Sequence, residues 1–423
     1  MNLFLLSSFI IVATSIFLSH RKVLSAYVKK LLLPTMAILF IAALIIYPKT
    51  AVNAASKGIK IWFEIVFPSL FPFFVASQLL SRSGIVSLFG IILEPIMRPI
   101  FNVPGCGSFA FAMGIISGYP VGASITADLR KQDLITQIEA ERLLTFTNNS
   151  GILFIMGAVS VGIFNQPKLG YLLYLSHVAA CITVGILFRF YKISKTNLKN
   201  KTKNSILSNI NIELKKIRNS DINLWTLFGD SIKNSIYTIL AIGGFIIFFS
   251  VLINILLTSG ILTYISRLVT VFTGAGTDIV QGILSGIFEI TIGTSLIYQS
   301  SVPLSVKLCC TSLIIGWAGL SVHAQVMSII SSTDIRVKPY LTGKALQGII
   351  SSIYTLVGYS LFSKVLLKES AVFSNNSIYF SVQQWEDIFK SSLQYVGLSA
   401  LIMILISVIY LCITGIILKK KLF

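Results

Sequence analysis

Six polar residues interrupt two apolar stretches of this chain, and their side chains could bind a small molecule. They are Asn148, Asn149, Ser150, Ser321, His323 and Gln325. Amide, hydroxyl and imidazole groups donate and accept hydrogen bonds, so they can hold a ligand without bond-breaking chemistry. The residue types therefore indicate recognition of a ligand.

One carboxylate lies inside a third apolar stretch. Glu289 stands between Gly286 and Gly293, with no other charged residue near it in the sequence. An ionisable side chain at membrane depth is costly, and a functional role is the default hypothesis for it. We predict that Glu289 binds a coupling proton or sodium ion and also contributes to the substrate site. A structural pair with a buried donor is the alternative.

These residues belong to two windows that repeat each other at a fixed offset. The run Val-Gly-Ala-Ser at 121–124 is matched by Ile-Gly-Thr-Ser at 292–295, which is 171 residues later. The same offset carries the polar residues 148–150 onto 319–321. Paired Gly/Pro-interrupted segments in two halves are the best sequence pointer to the substrate site of a secondary transporter.

Each half contains a segment with a break in its middle, at about 105–125 and 276–300. Irregular backbone at membrane depth survives only where it is buried in protein or faces water, so we predict two re-entrant hairpins. Gly122 and Gly293 have close helix packing as an alternative role. The predicted substrate-binding residues are Gly118, Tyr119, Pro120, Gly122, Asn148, Asn149, Ser150, Glu289, Thr291, Gly293, Ser321, His323 and Gln325.

Composition sets the class of protein. Of the 423 residues 55% are hydrophobic and 12% are charged, with a mean hydropathy of +0.85. Runs of about 20 apolar residues suffice to cross a bilayer, which predicts an all-α polytopic membrane protein with about nine spans. The predicted spans are 3–19, 31–47, 60–80, 144–165, 169–190, 234–258, 310–330, 345–366 and 392–418, with interfacial helices at 84–103 and 260–273.

Charge predicts the orientation. The net charge is +19, and the segment 189–218 alone carries nine Lys or Arg against one acid. Such clusters mark cytoplasmic loops and meet anionic lipid, so we expect no nucleic-acid partner. With this segment in the cytoplasm, the first hairpin enters from the cytoplasmic side and the second from the opposite side. The two halves are thus predicted to be inverted repeats.

The predicted organisation has five parts. They are N-terminal membrane helices at 1–59, a first membrane repeat at 60–190, a basic cytoplasmic linker at 191–222, a second membrane repeat at 223–366, and an extracytoplasmic loop with a C-terminal membrane helix at 367–423. Within the first repeat, the charged stretch 126–143 is expected to form a surface helix.

The expected partners are a small anionic substrate and the lipid bilayer. Five cysteines without CxxC spacing predict neither a disulfide framework nor a zinc site, and we expect no metal and no cofactor beyond a coupling H⁺ or Na⁺. The sequence leaves homo-oligomerisation open.

Four motifs follow one another between about residues 60 and 360. They are Ser117-Gly118-Tyr119-Pro120-Val121-Gly122-Ala123, Phe146-Thr147-Asn148-Asn149-Ser150, Phe288-Glu289-Ile290-Thr291-Ile292-Gly293 and Trp317-Ala318-Gly319-Leu320-Ser321-Val322-His323-Ala324-Gln325. In these runs the chain resembles the YlbJ family of sporulation integral membrane proteins, whose paired nucleoside-recognition, or Gate, domains are similar to the core of concentrative nucleoside transporters. The resemblance implies movement of dipicolinic acid from the mother cell across the outer forespore membrane.

Three other functions compete with that one. A cation-coupled nucleoside symporter is the nearest, because a resemblance fixes the fold more firmly than the ligand. A non-transporting sporulation scaffold is less favoured, since we find no soluble module that would recruit partners. An intramembrane enzyme is disfavoured, because Ile125 follows Ser124 where a membrane serine protease needs glycine, and no HExxH motif occurs. We therefore expect the protein not to be an enzyme.

Overall fold

The computed structural model describes residues 22–83, 85–192 and 223–366, together with positions 210, 214, 215 and 390. The predicted spans at 3–19 and 392–418, most of the basic linker and nearly all of the region 367–423 lie outside the described residues. In the described part, every regular element is helical, with 15 α-helices and two π-helical segments. The predicted all-α polytopic class is confirmed.

The first half runs from helix α1 to helix α8. Its elements are α1 (Lys22–Ile46), α2 (Pro48–Ile61), the π-helical segment π1 (Trp62–Val66), α3 (Phe67–Arg82), α4 (Ile85–Phe101), α5 (Gly107–Ile116), α6 (Val121–Lys131), α7 (Gln137–Thr147), the π-helical segment π2 (Leu153–Ile163) and α8 (Pro167–Phe188).

From α10 onward, the second half repeats the order of α4 to α8. Its elements are α9 (Leu224–Thr258), α10 (Ile261–Thr273), α11 (Thr277–Phe288), α12 (Ile290–Gln299), α13 (Leu304–Trp317), α14 (Gly319–Ile330) and α15 (Val337–Leu366). Within the described residues, four helices are long and apolar enough to span a membrane, or up to seven spans exist if each sharply bent helix pair counts as one.

Both predicted hairpins are present as pairs of half-helices. In the first, α5 and α6 pack against each other on either side of the break at 117–120, and in the second α11 and α12 do the same around Glu289. The two predicted interfacial helices, α4 and α10, bend away from α3 and α11 by 82° and 119°. Such bends suit helices that lie along the membrane surface, and that placement stays a prediction.

The predicted surface helix at 126–143 is wrong. The chain there forms the end of α6, a turn, and the start of α7, with Thr136 and Glu139 making a capping box at the new helix start. Leu129 and Arg142 are buried. The charges suggested a solvated face, but the structure satisfies them internally: the Arg142 guanidinium donates to backbone carbonyls at Asn102, Tyr191 and Lys192.

The two halves are related in space as well as in sequence. Their helix boundaries correspond at the 171-residue offset to within a few residues, and α8 packs against α15, its counterpart. The Thr183 hydroxyl lies 3.0 Å from the Tyr354 hydroxyl, and these two positions are themselves 171 residues apart. A contact between a residue and its own equivalent is the geometry found at a two-fold axis.

An exposed ion pair joins the two repeats at one end. The Arg130 guanidinium, at the end of α6, donates to both carboxylate oxygens of Asp334 at 2.9 and 3.0 Å, and Gln137 donates to the Asp334 backbone carbonyl. Bidentate pairs of this kind fix geometry as well as charge.

This pair should make stability depend on pH. Hydrogen bonding to Arg130 holds the pKa of the Asp334 carboxyl below its ordinary value of 3.8. A carboxylate with a lowered folded-state pKa stabilises the protein above its unfolded-state pKa, and that contribution disappears as the pH falls through the folded-state pKa. We expect Asp334→Asn to lower the melting temperature at neutral pH, with the difference from wild type shrinking as the pH falls below 3.8 and vanishing below the folded-state pKa. An equal difference at neutral pH and at a pH below the folded-state pKa would contradict this account.

The predicted inversion can be tested with cysteine labels at positions outside the described residues. A cysteine introduced at Ser205 should react only from the cytoplasmic side and one at Asn375 only from the opposite side, because the basic segment between the halves is predicted to lie in the cytoplasm. Reaction of both from one side would remove the inverted-repeat model. A membrane-impermeant maleimide applied to intact and opened cells makes the measurement.

Candidate functional site

The helix breaks of the first repeat touch each other. Gly118, with φ of +89°, lies in the break of the first hairpin, and a Cβ there would come within 2.6 Å of the Gly151 backbone nitrogen. Gly151 closes the break between α7 and π2, which contains Asn148, Asn149 and Ser150. All three of these polar residues are fully buried. The interrupted backbone of two elements is therefore brought to one place.

Side chains from the second repeat surround this place. Asn148 donates its amide N–H to the Tyr340 hydroxyl at 3.0 Å, and that hydroxyl lies 3.0 Å from Nδ1 of His323. Because Tyr340 accepts from Asn148, its own proton is available to donate to His323 Nδ1. That assignment leaves the remaining histidine proton on Nε2, as a donor.

A lysine from helix α15 enters the same network. Nζ of Lys344, a residue with 0% exposure, lies 2.9 Å from the Asn148 carbonyl oxygen and 2.6 Å from Oε1 of Gln347. Gln347 in turn donates to Oδ1 of Asn149 at 2.9 Å. The groups that hold Lys344 are thus neutral oxygens, and no carboxylate of the described residues forms an ion pair with it.

His177, on helix α8, also belongs to this network. Its Nε2 accepts the backbone N–H of Ser150 at 3.2 Å and faces the Gln347 amide at 3.4 Å. A backbone N–H can only donate, so Nε2 carries no proton and the imidazole is the neutral Nδ1–H tautomer. The residue therefore fixes the backbone at the break.

Six buried polar atoms around the breaks have no hydrogen-bond partner in the described structure. They are Ser117 Oγ, Tyr119 Oη, Asn148 Oδ1, Ser150 Oγ, His177 Nδ1 and His323 Nε2. The Tyr119 and Ser150 hydroxyls approach each other without a hydrogen bond of ordinary geometry, and Tyr119 lies within electrostatic range of Glu289. Buried polar groups are nearly always paired, so unpaired ones gathered at one place indicate a ligand.

Glu289 caps a helix. Its carboxylate oxygens accept the backbone N–H groups of Thr291 and Ile292 at 3.1 and 2.8 Å, at the start of α12. The residue 171 positions earlier is Gly118, which has no side chain, and the start of α6 has no side-chain cap. The partial positive charge at the helix N-terminus is therefore balanced by the Glu289 carboxylate at α12 of the second repeat. At α6 of the first repeat, no side-chain cap balances it.

The remaining predicted residues divide between packing and the site. The close-packing role proposed for two glycines fits their contacts: a Cβ on Gly122 would lie 2.0 Å from the Thr147 carbonyl oxygen, and one on Gly293 would lie 2.2 Å from Gly286 Cα. Pro120 immediately precedes α6, and its peptide bond with Tyr119 is cis. Ser321 and Gln325 are buried on α14.

Sequence reasoning missed the contribution of α15. Tyr340, Lys344 and Gln347 follow the i, i+4, i+7 spacing of one helix face, and this polar stripe was a usable signal. Residues that could bind a metal are a different matter. In the ranges that the structure describes, no group of three or more His, Cys, Asp or Glu is placed to hold a metal ion.

The cap predicts the effect of removing the Glu289 charge. Glu289→Gln keeps one carbonyl oxygen as a helix cap but loses the second oxygen and the charge, so we expect a lower melting temperature, by the equivalent of about 0.5–2 kcal/mol. Uptake of the transported substrate by the reconstituted variant should still respond to an imposed proton or sodium gradient. An unchanged melting curve together with a lost gradient response would assign the coupling ion to Glu289.

Comparisons with known proteins agree with this architecture. Residues 63–190 match the family model described as Gate, nucleoside recognition. The chain is 38% identical to the sporulation integral membrane protein YlbJ of Bacillus subtilis (strain 168) over 337 residues, which cover 78% of this chain and 83% of that protein. No solved structure matches the chain. At this identity over most of both proteins, the chain belongs to the YlbJ family of sporulation integral membrane proteins.

Proposed function

We propose that this protein is a secondary transporter of a small anionic metabolite. The observation that supports this most directly is the buried network at the touching helix breaks, where Lys344 has only neutral partners. A lysine that is protonated in a buried place without a counter-charge is costly, and a ligand carboxylate would supply that charge.

The open groups at the site favour an anion over a cation. Tyr119 and Ser150 offer hydroxyl protons and His323 offers its Nε2 proton, whereas Asn148 Oδ1 is an acceptor. The uncapped start of α6 adds the partial positive charge of a helix N-terminus. Donors therefore outnumber acceptors among the groups available to a ligand.

Dipicolinic acid is the substrate that we propose. It has two carboxylates, which suit Lys344 and the start of α6, and a ring nitrogen, which can accept from a hydroxyl or imidazole donor. The relative YlbJ is a sporulation protein by name. We further propose that transport carries dipicolinic acid from the mother cell across the outer forespore membrane, and that the protein catalyses no covalent reaction.

A cation-coupled nucleoside symporter is the second candidate. It is favoured by the match of residues 63–190 to the nucleoside-recognition model. Nucleosides are neutral, so this function would leave Lys344 without a charged partner in the loaded state. A scaffold without transport is less favoured, because it gives no role to the unpaired polar atoms at the breaks.

Ligand-dependent stability separates these functions. Purified protein should be melted with dipicolinate, with benzene-1,3-dicarboxylate, which lacks the ring nitrogen, and with uridine or adenosine. A ligand that binds only the folded state adds about 2.7 kcal/mol of stability at a concentration 100 times its Kd. We expect dipicolinate to stabilise most and the nucleosides not at all. Stabilisation by a nucleoside but not by dipicolinate would contradict the proposed function and favour the nucleoside symporter. In that case, uptake of labelled dipicolinate into proteoliposomes should be absent.

A further inference from the structure

Lys344 makes the number of hydrogen bonds that suits an uncharged amine. A neutral amine has two N–H bonds, and the two neutral acceptors at Asn148 and Gln347 use both. The third N–H exists only on the ammonium. Its acceptor would have to be a further group, and among the described residues no carboxylate is in place.

We propose that Lys344 carries the coupling proton, so that the anion and one H⁺ bind and leave together. This inference rests on the proposed function. On the loading side, the amine takes a proton from water and becomes an ammonium as a substrate carboxylate arrives to accept the third N–H. On the release side, the anion departs, the proton returns to water, and the amine keeps its two neutral partners. Charge and protons balance in each direction.

The other ionisable groups facing Lys344 are held in roles that do not suit a mobile proton. On α8, His177 Nε2 accepts a backbone N–H, and the Cys181 thiol is fully buried. On α14, His323 is bonded to Tyr340, which lies one helical turn from Lys344 on its own helix. Two further helices, α7 and α13, pack against α15. Thr145 of α7 contacts Gly343, and Gly316 of α13 contacts Gly348. None of these four residues has an ionisable side chain.

Glu289 was the proton site expected from the sequence, and the geometry makes it the weaker candidate. Both of its oxygens accept backbone N–H groups at the start of α12. Protonation of that carboxylate would weaken the helix cap, since a carboxylic acid accepts hydrogen bonds less strongly than a carboxylate. Lys344 can gain its proton without losing either existing bond.

The test is the pH dependence of dipicolinate affinity in purified wild-type protein. If one proton binds with the anion, Kd should rise by about tenfold per pH unit wherever Lys344 of the ligand-free protein has lost its proton. We expect this rise within the range from about pH 6 to about pH 9. Lys344→Arg keeps a permanent charge, so its affinity should be independent of pH over this range. Lys338→Met, an exposed lysine on the same helix, serves as the control and should follow the wild-type curve.

Proton counting gives a second readout that needs no variant. Proteoliposomes with an internal pH dye should acidify as dipicolinate enters, and an imposed inward proton gradient should drive accumulation. A wild-type Kd that does not change with pH, or uptake without acidification, would overturn the lysine proposal and leave the transporter proposal standing. Absence of dipicolinate binding at every pH would overturn both.

Discussion

Lys344→Met should weaken dipicolinate binding more than it lowers the stability of the ligand-free protein. Lys344 is fully buried, and its removal leaves the Asn148 carbonyl and Gln347 Oε1 without that donor, which costs about 1–3 kcal/mol of ligand-free stability. In the bound state the same change removes the charge that faces the anion, and loss of one partner of a buried charge pair costs about 2–5 kcal/mol. Affinity should therefore fall by about 30-fold or more.

Melting curves with and without dipicolinate make this measurement on one sample. The matched control is Lys338→Met, which removes the same charge from an exposed position on the same helix. It should keep wild-type affinity. A Lys344→Met protein that binds dipicolinate normally would show that the lysine does not face the ligand. A loss of ligand-free stability larger than the loss of binding would show that its hydrogen bonds serve the fold instead.

Gly118→Ala should prevent accumulation of folded protein. Gly118 has φ of +89°, a conformation that costs other residues about 1–2 kcal/mol, and a Cβ there would lie 2.6 Å from the Gly151 backbone nitrogen. Backbone cannot move aside as a flexible side chain can, so overpacking adds about 1–3 kcal/mol. The sequence analysis places Gly118 among the predicted substrate-binding residues, and its contact with Gly151 predicts that a change there acts on the fold.

Gly157→Ala provides the matched control. Gly157 lies in π2, and a Cβ there meets no atom within 4 Å. Membrane levels of the two variants can be compared by detergent extraction and size-exclusion chromatography with fluorescence detection. We expect Gly157→Ala at the wild-type level and Gly118→Ala well below it. Equal levels for both would mean that the two breaks can separate without loss of the fold.

The sequence by itself determined the class of protein, the internal repeat and the position of the breaks. Runs of apolar residues long enough to cross a bilayer are a local property, and so are the glycines and the proline that interrupt them at 117–122. The 171-residue offset predicted the correspondence of helix boundaries because each repeat is built from the same order of local signals. Residues 148–150 were recognised as site candidates for the same reason, since polar groups stand out in an apolar stretch.

Only the tertiary structure decided what these polar residues contact. Asn148 meets Tyr340 and Lys344, which lie nearly 200 residues away on another helix. Such a meeting depends on how two helices pack and rotate, and a polar stripe on α15 marks a face without naming its partner. The same holds for Glu289, a predicted site residue whose carboxylate accepts two N–H groups of its own helix start. Local sequence determines where a helix can break, whereas the packing of distant helices determines which charge is satisfied there and which is left for a ligand.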